Sequence, residues 1–241
     1  MVDDIRKDIE SMFNEAGLLF DVDKFASFFI FTEKLLREGV ELGVTSVKER
    51  LDIWRKHILD SLLLFKVWQV PFGSRLIDVG SGGGLPGIAL KIYRQDLEVT
   101  LLESQRRRVA FMEGTLRDLS LKGISCLWGR AEDMGRRPGL RESYDLVVAR
   151  AVATLSVLAE YCLPFARLGG KFVAYKGPNV EEEVKLAGKA IRVLGGELAG
   201  VWQGQLPGGK GEMRSLVIVH KVNPTPAKYP RRAGLPAKRS L

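Results

Sequence analysis

Cysteine and histidine are scarce, with two of each among 241 residues. So few ligands cannot build a disulfide framework or a zinc site from Cys and His alone, so no metal is expected. Long apolar runs are missing as well. No uncharged stretch reaches the roughly 20 residues of a membrane span, and the first six residues lack the apolar core of a secretory signal. The expectation is a cytoplasmic protein with no membrane partner. Acidic charge is in short supply: 29 Asp and Glu face 37 Lys and Arg, a net charge of +8. That balance favours a polyanionic partner such as nucleic acid or an acidic membrane surface. The remaining composition, 46% apolar and 27% charged, excludes collagen-like, wholly disordered and coiled-coil chains.

Two textures divide the chain. Residues 1–70 read as helices packed on a core, with Ile5, Ile9, Met12 and Phe13 and then Phe25, Phe28, Phe29, Leu35 and Leu36 at helical spacing. Gly17 and Gly39 are the expected C-caps. A capping box at Ser46 and Glu49 announces a third helix carrying Trp54, Ile58, Leu62 and Phe65, with His57 and Ser61 one turn apart beside Asp60. Residues 71–222 alternate short apolar runs with helical stretches, as a helix-wrapped parallel sheet does. The runs are 75–79, 98–103, 124–128, 144–149 and 171–176; the crossover helices are 86–93, 106–120 and 155–168. Runs near 198–205 and 213–222 are separated only by Pro207-Gly208-Gly209-Lys210-Gly211, too short for a parallel crossover, so an antiparallel hairpin is expected. Residues 223–241 hold four prolines and five cations with no acid, and predict an extended basic arm.

The densest chemical signal is Leu76-Ile77-Asp78-Val79-Gly80-Ser81-Gly82-Gly83-Gly84-Leu85-Pro86-Gly87, a strand entering a glycine turn and then a helix. Gly82 to Gly87 matches the dinucleotide pattern, a weak signal alone. Asp78 at the strand end would repel a pyrophosphate, which counts against a nicotinamide cofactor and favours the cationic S-adenosylmethionine. Glu103 follows at about the 20-residue spacing at which an acid meets ribose hydroxyls. The blander alternative has Asp78 capping the turn and Glu103 as a solvated strand end. Gly129-Arg130-Ala131-Glu132 ends the third run at the same edge and could receive adenine; an acidic helix start explains it equally well. Arg150, ending the fourth run, could orient guanine O6 or a phosphate, or pair with the cofactor carboxylate. Its alternative is a salt bridge to Asp145 or Glu160.

Together with His57-Ile58-Leu59-Asp60-Ser61-Leu62, Arg107-Arg108-Val109, Arg150-Ala151, Lys176-Gly177 and the tail Tyr229-Pro230-Arg231-Arg232-Ala233-Gly234-Leu235-Pro236, these residues resemble the bacterial small-subunit ribosomal RNA guanine-N7 methyltransferases, the glucose-inhibited division protein B family. The resemblance runs from the third helix to the C-terminus. It implies an α/β fold, the class I S-adenosylmethionine-dependent methyltransferase fold with a seven-stranded, mostly parallel sheet. It implies methyl transfer to guanine N7 of 16S rRNA, with no catalytic acid, base or nucleophile. Cofactor contacts then fall on Gly80, Leu85, Ala131, Glu132 and Arg150, beside Asp78, Gly82 and Glu103 of the strand ends. The RNA side falls on Arg107, Arg130 and Lys176, to which the tail adds Arg231 and Arg232. One departure is Val40 to Thr45, where the family carries Asn-Leu-Thr before the His-containing helix. A monomer acting on small-subunit rRNA or its particle is expected. A small-molecule or protein methyltransferase, or a noncatalytic RNA-binding protein keeping the cofactor fold, stays open.

Cys126 within a run and Cys162 within a helix suit inert buried thiols, not the reactive thiolate that methylation of a pyrimidine carbon requires. Trp54, Trp68, Trp128 and Trp202 read as core residues.

Overall fold

The computed structural model describes residues 2–209 and 211–241. Lys210 of the expected hairpin turn lies outside them. The chain opens with α1 (Val2–Glu15) and α2 (Val22–Lys34), which runs on into a π-helical turn at Leu35–Gly39. After a loop come α3 (Arg50–Ile53), a second π-helical segment at Trp54–Leu59, α4 (Asp60–Leu62) and α5 (Leu64–Val67). Then β1 (Arg75–Val79), α6 (Gly87–Tyr93), β2 (Glu98–Glu103), α7 (Arg106–Asp118), β3 (Ile124–Trp128), α8 (Ala131–Met134), β4 (Tyr144–Arg150), α9 (Leu155–Cys162) and β5 (Ala166–Lys176) alternate. The sequence closes with α10 (Glu181–Val193), β6 (Gly196–Gln205), β7 (Met213–Lys221) and α11 (Leu235–Lys238).

The strands form one sheet in the order β3-β2-β1-β4-β5-β7-β6. Pairs among β1 to β5 are parallel, and β7 runs antiparallel to both β5 and β6. Strand order therefore reverses between β1 and β4, which opens the crevice where such sheets hold ligands. Period-2 alternation sorts the side chains. Leu76, Leu146, Val148 and Val173 face a core shared with α1, α2, the π segments, α6 and α7. Ile77, Val147, Ala149, Phe172 and Ala174 face a second core under α9 and α10. The N-terminal helices thus complete the first core: Trp54 is fully buried and stacks on Phe25 at 5.4 Å.

Several expectations change. No capping box forms at Ser46: Glu49 occupies the N-cap without a side-chain bond. Gly39 is no C-cap either; a Cβ there would stand 2.9 Å from the Thr45 methyl, so the residue is fixed by close packing. Gly17 does sit past α1 with φ of 65°. Trp128 is 49% exposed, with the Arg106 guanidinium 4.1 Å above its ring. The tail is not an extended free arm. Arg141 donates to the carbonyls of Thr225 and Tyr229 at 2.6 and 2.9 Å, Glu142 accepts from the Thr225 N–H at 2.6 Å, and buried Lys221 bonds the Thr225 hydroxyl. Tyr229, Pro230 and Pro236 are buried. Arg231, expected to face RNA, instead grips Glu160, which is 1% exposed, through contacts of 2.6 to 3.1 Å.

Candidate functional site

At the C-terminal end of β1 the backbone must turn sharply, and Gly80 and Gly82 take φ of 76° and 57° to do so. Gly87 serves packing: a Cβ would come within 2.4 Å of Leu101, so only glycine lets α6 lie this close to β2. Asp78 binds the turn from behind. Its Oδ2 accepts the Gly87 N–H at 2.8 Å and its carbonyl accepts the Ser81 hydroxyl. The carboxyl is fully buried and lines neither of the two cavities that meet at Gly80; it closes the turn through Oδ2, while its Oδ1 has no hydrogen-bond partner among the described residues. Burial pushes its pKa up to about 7, against the pull of the Gly87 bond and Arg150.

That shift carries a prediction. An acid whose folded pKa lies above its unfolded value holds the extra proton only when folded, so its contribution to stability falls as pH rises from about 4 to 7. Asp78→Asn removes the ionisation, and its stability relative to the parent should climb across that window by an amount on the order of a few kcal/mol. Urea unfolding at several pH values checks it; a constant difference would contradict the assignment.

Glu103 is also buried, at 4% exposure. Its Oε1 accepts the Ser104 and Gln105 N–H groups at 2.7 and 2.8 Å, and its Oε2 accepts the Gly82 N–H at 3.1 Å. It is not a solvated strand end: it ties β2 to the glycine turn.

Two cavities meet at Gly80. The larger, about 570 Å³, is lined by Gly80, Gly82, Leu85 and Arg150 together with His57, Asp60, Tyr175, Lys176 and Arg214. Lys56, Arg108, Arg150, Lys176 and Arg214 put five cations on its wall against the single carboxylate of Asp60, a field suited to phosphate or carboxylate. The smaller, about 90 Å³, lies between Val79, Leu102, Ala131 and Val152, with Glu132, Arg130 and Tyr161 at its edge. Glycine backbone between an apolar slot and a cationic chamber fits an elongated ligand with a flat base at one end and a charged amino-acid end at the other. S-adenosylmethionine has that form, and the residues present fit it.

Arg150 pairs with neither Asp145 nor Glu160, which hold Arg167 and Arg231. Its Nη1 reaches Asp60 Oδ2 at 3.0 Å, and Arg214 Nε approaches the other carboxylate oxygen at 3.2 Å. Burial pushes the Asp60 carboxyl up while the two guanidiniums pull it down. Nη2 and Nε of Arg150 make no hydrogen bond among the described residues, so one guanidinium edge stays available to a ligand. His57 is pushed down to about 4, by burial first and Arg150 second, and is neutral at physiological pH. Its Nδ1–H donates to the Lys56 carbonyl at 3.0 Å, leaving Nε2 to accept from the Thr45 hydroxyl at 2.7 Å. The segment that departs from the family pattern therefore does structural work here. Thr45 fixes His57, and Gly43 and Val44 roof the larger cavity.

Among the expected RNA contacts, Arg107, Arg130 and Arg232 are exposed and form no ion pair among the described residues. Lys176 lines the larger cavity while its Nζ donates to Ala153 O at 2.8 Å and Glu183 at 2.7 Å. Cys162 is buried and Cys126 only half-buried; burial pushes Cys126 up to about 11 and Cys162 well above its ordinary value.

The family model for GidB, rRNA small subunit methyltransferase G, matches residues 24–207. This chain belongs to that family. It is 50% identical over 227 residues to the ribosomal RNA small subunit methyltransferase G of Moorella thermoacetica, covering 94% of each chain. The Desulforamulus reducens protein of the same name is 44% identical, with 86% of each chain covered. A SAM-dependent methyltransferase from Aquifex aeolicus shares the fold at a TM-score of 0.50 and 17% identity, covering 70% of this chain and 92% of that one. Helices on both faces of a seven-stranded sheet ending in an antiparallel hairpin make this the class I methyltransferase fold.

On the wall of the larger cavity the sequence left Tyr175 and Arg214 unmarked and pointed to Arg108 only as part of the basic Arg107-Arg108 motif. Arg108 donates to the Gly43 carbonyl at 3.0 Å, Tyr175 donates to the Ser61 carbonyl at 2.7 Å, and Arg214 arrives from β7. Nothing local distinguishes Tyr175 and Arg214 from core or surface residues. Only the sheet order, which brings β7 next to β5, puts Arg214 near Asp60. No helix among the described residues is long and apolar enough to cross a membrane, and no cluster of three or more His, Cys, Asp or Glu among them could hold a metal.

Proposed function

We propose that this chain transfers the methyl group of S-adenosylmethionine to N7 of a guanine in 16S rRNA of the small ribosomal subunit. The observation that carries the reading is the pair of cavities joined at Gly80, apolar on one side and cationic on the other, in a member of this family. The bound donor supplies a methyl group on a positively charged sulfur. Ala131 and Glu132 hold its adenine in the smaller cavity, and Glu103 holds the turn at the ribose. Gly80, Gly82, Leu85 and Arg150 frame its amino-acid end, with Asp78 shaping the turn from behind. Lys176, Arg107, Arg130 and Arg232 receive the RNA backbone, giving affinity that weakens as salt displaces the advantage of counterion release.

Guanine N7 has an in-plane lone pair and no proton, so it needs no general base. The site agrees with that requirement: His57 is neutral with both ring nitrogens engaged, and Asp60 is held between two guanidiniums. What the protein contributes is alignment, by which proximity alone supplies several kcal/mol, on the order of 7 or more at best. Residues 1–70 roof the larger cavity, 71–222 carry the cofactor, and 223–241 close the far side. The chain works as a monomer in the cytoplasm, where ribosomal subunits are made.

Tritiated methyl donor offered with small subunits, naked 16S rRNA and assembled ribosomes tests this reading. Label should enter small-subunit RNA, and treatment that cleaves at 7-methylguanine should cut the labelled RNA at one position. Labelled RNA that resists cleavage would overturn the N7 assignment. Donor binding without RNA label would favour a noncatalytic protein.

A further inference from the structure

A basic, proline-rich tail reads as an RNA arm, but here it is strapped against α9, and its Gly234 reaches a carboxylate of the smaller cavity. Gly234 takes φ of 79° and donates its N–H to Glu132 Oε1 at 2.8 Å. Glu132 is 3% exposed and forms no ion pair among the described residues. Burial and Glu132 together raise the pKa of the neighbouring Tyr161. One turn earlier in the tail, Arg231 is anchored to Glu160, the residue adjacent to Tyr161 in α9. The strap therefore holds Glu132, a carboxylate that lines the cavity, and Glu160, the neighbour in α9 of the cavity residue Tyr161.

We infer that the C-terminal strap is a working part of the cofactor site: the Gly234 N–H positions Glu132, and through it sets the affinity for the adenosine end of the methyl donor. This rests on the reading of the smaller cavity as the adenine site. A buried carboxylate with one oxygen free to rotate would exchange between partners. Fixing one oxygen with a hydrogen bond leaves the group oriented before the ligand arrives, which removes an ordering cost from binding. Gly234 is a positioning residue here, not one that touches the reacting atoms. One cation of the tail is also reassigned: Arg231 holds the strap down, and only Arg232 of the pair stays exposed to solvent.

Two variants test the inference. A chain ending at Arg232 keeps the Arg231 anchor and removes Gly234 together with α11 and the buried Pro236. Arg231→Met combined with Glu160→Gln releases the anchor without stranding a buried charge. Binding is read by calorimetry with S-adenosylhomocysteine and with 5′-methylthioadenosine, which keeps the adenosine and lacks the amino-acid end. Loss of one hydrogen bond to a charged group should weaken both ligands equally, by about tenfold in the shortened chain, with a smaller loss in the double variant. KM for the donor should rise while kcat stays within about twofold, and small-subunit binding at fixed salt should not change. Undiminished affinity for both ligands would overturn the inference, as would a loss confined to S-adenosylhomocysteine, or weaker subunit binding with a shallower salt dependence, the mark of an RNA arm. If the parent chain itself binds neither ligand, it is the cofactor reading that fails.

Discussion

Replacing Arg150 by alanine should lower small-subunit methylation by about a hundred- to a thousandfold, the range expected when a preorganised charged donor is lost from a site that works by alignment. Two causes separate in the design. The guanidinium edge facing the larger cavity disappears, and Asp60, 5% exposed, loses its 3.0 Å partner. Stranding a buried carboxylate costs about 3 to 5 kcal/mol, and the remaining Arg214 contact holds the expected cost to the lower end. A double variant, Arg150→Ala with Asp60→Asn, removes the unpaired charge and should recover most of that stability while activity stays lost. Recovery of both would make Arg150 a scaffold for Asp60 with no ligand of its own. Arg150→Lys keeps the charge and loses the planar fork, so it should hold the fold and still methylate poorly. Urea unfolding and single-turnover methylation measure the two effects independently.

Asp60 also marks where reading from sequence stops. The strands of the parallel sheet are legible because β-branched and aliphatic runs alternate with amphipathic stretches, and β1, β2 and β3 fall where that pattern puts them. Helix α10 escaped notice although Glu181, Glu182 and Glu183 open it and Ala187, Ala190 and Ile191 face its core. Its pattern is diluted by Leu186, an apolar residue on the exposed side. The glycine turn, the two strand-end acids and Arg150 were readable as a set because each ends a strand at one edge. Their partners were not. Arg150 meets an acid 90 residues earlier, and Arg231 one 71 residues earlier, pairings set by how helices lie across the sheet. Charge counting was informative about the partner class but not about individual cations. Arg231 and Arg232 are neighbours of like type, yet one is locked to a buried acid and the other is exposed.

The second large effect belongs to Gly80, the residue shared by both cavities. A methyl group there meets two obstacles. The backbone at φ of 76° lies in the left-handed region, which costs an L-residue about 1 to 2 kcal/mol. A Cβ would also stand 2.7 Å from a Val152 methyl, so either the β1 turn or the segment after Arg150 must move. Displacement of either misaligns the cavities, and Gly80→Ala should weaken S-adenosylhomocysteine binding by about a hundredfold, the penalty for misplacing a site by an ångström. Combining it with Val152→Ala removes the clash and leaves the backbone strain, so affinity should return part of the way. Gly82→Ala is the control. Its φ of 57° carries similar strain, but the nearest atom to a Cβ is the Gly80 carbonyl at 4.0 Å, so its loss should be smaller than that of Gly80→Ala. Equal losses at the two glycines would mean that strain alone governs the turn. An unaffected Gly80→Ala chain would mean that the donor does not lie across it.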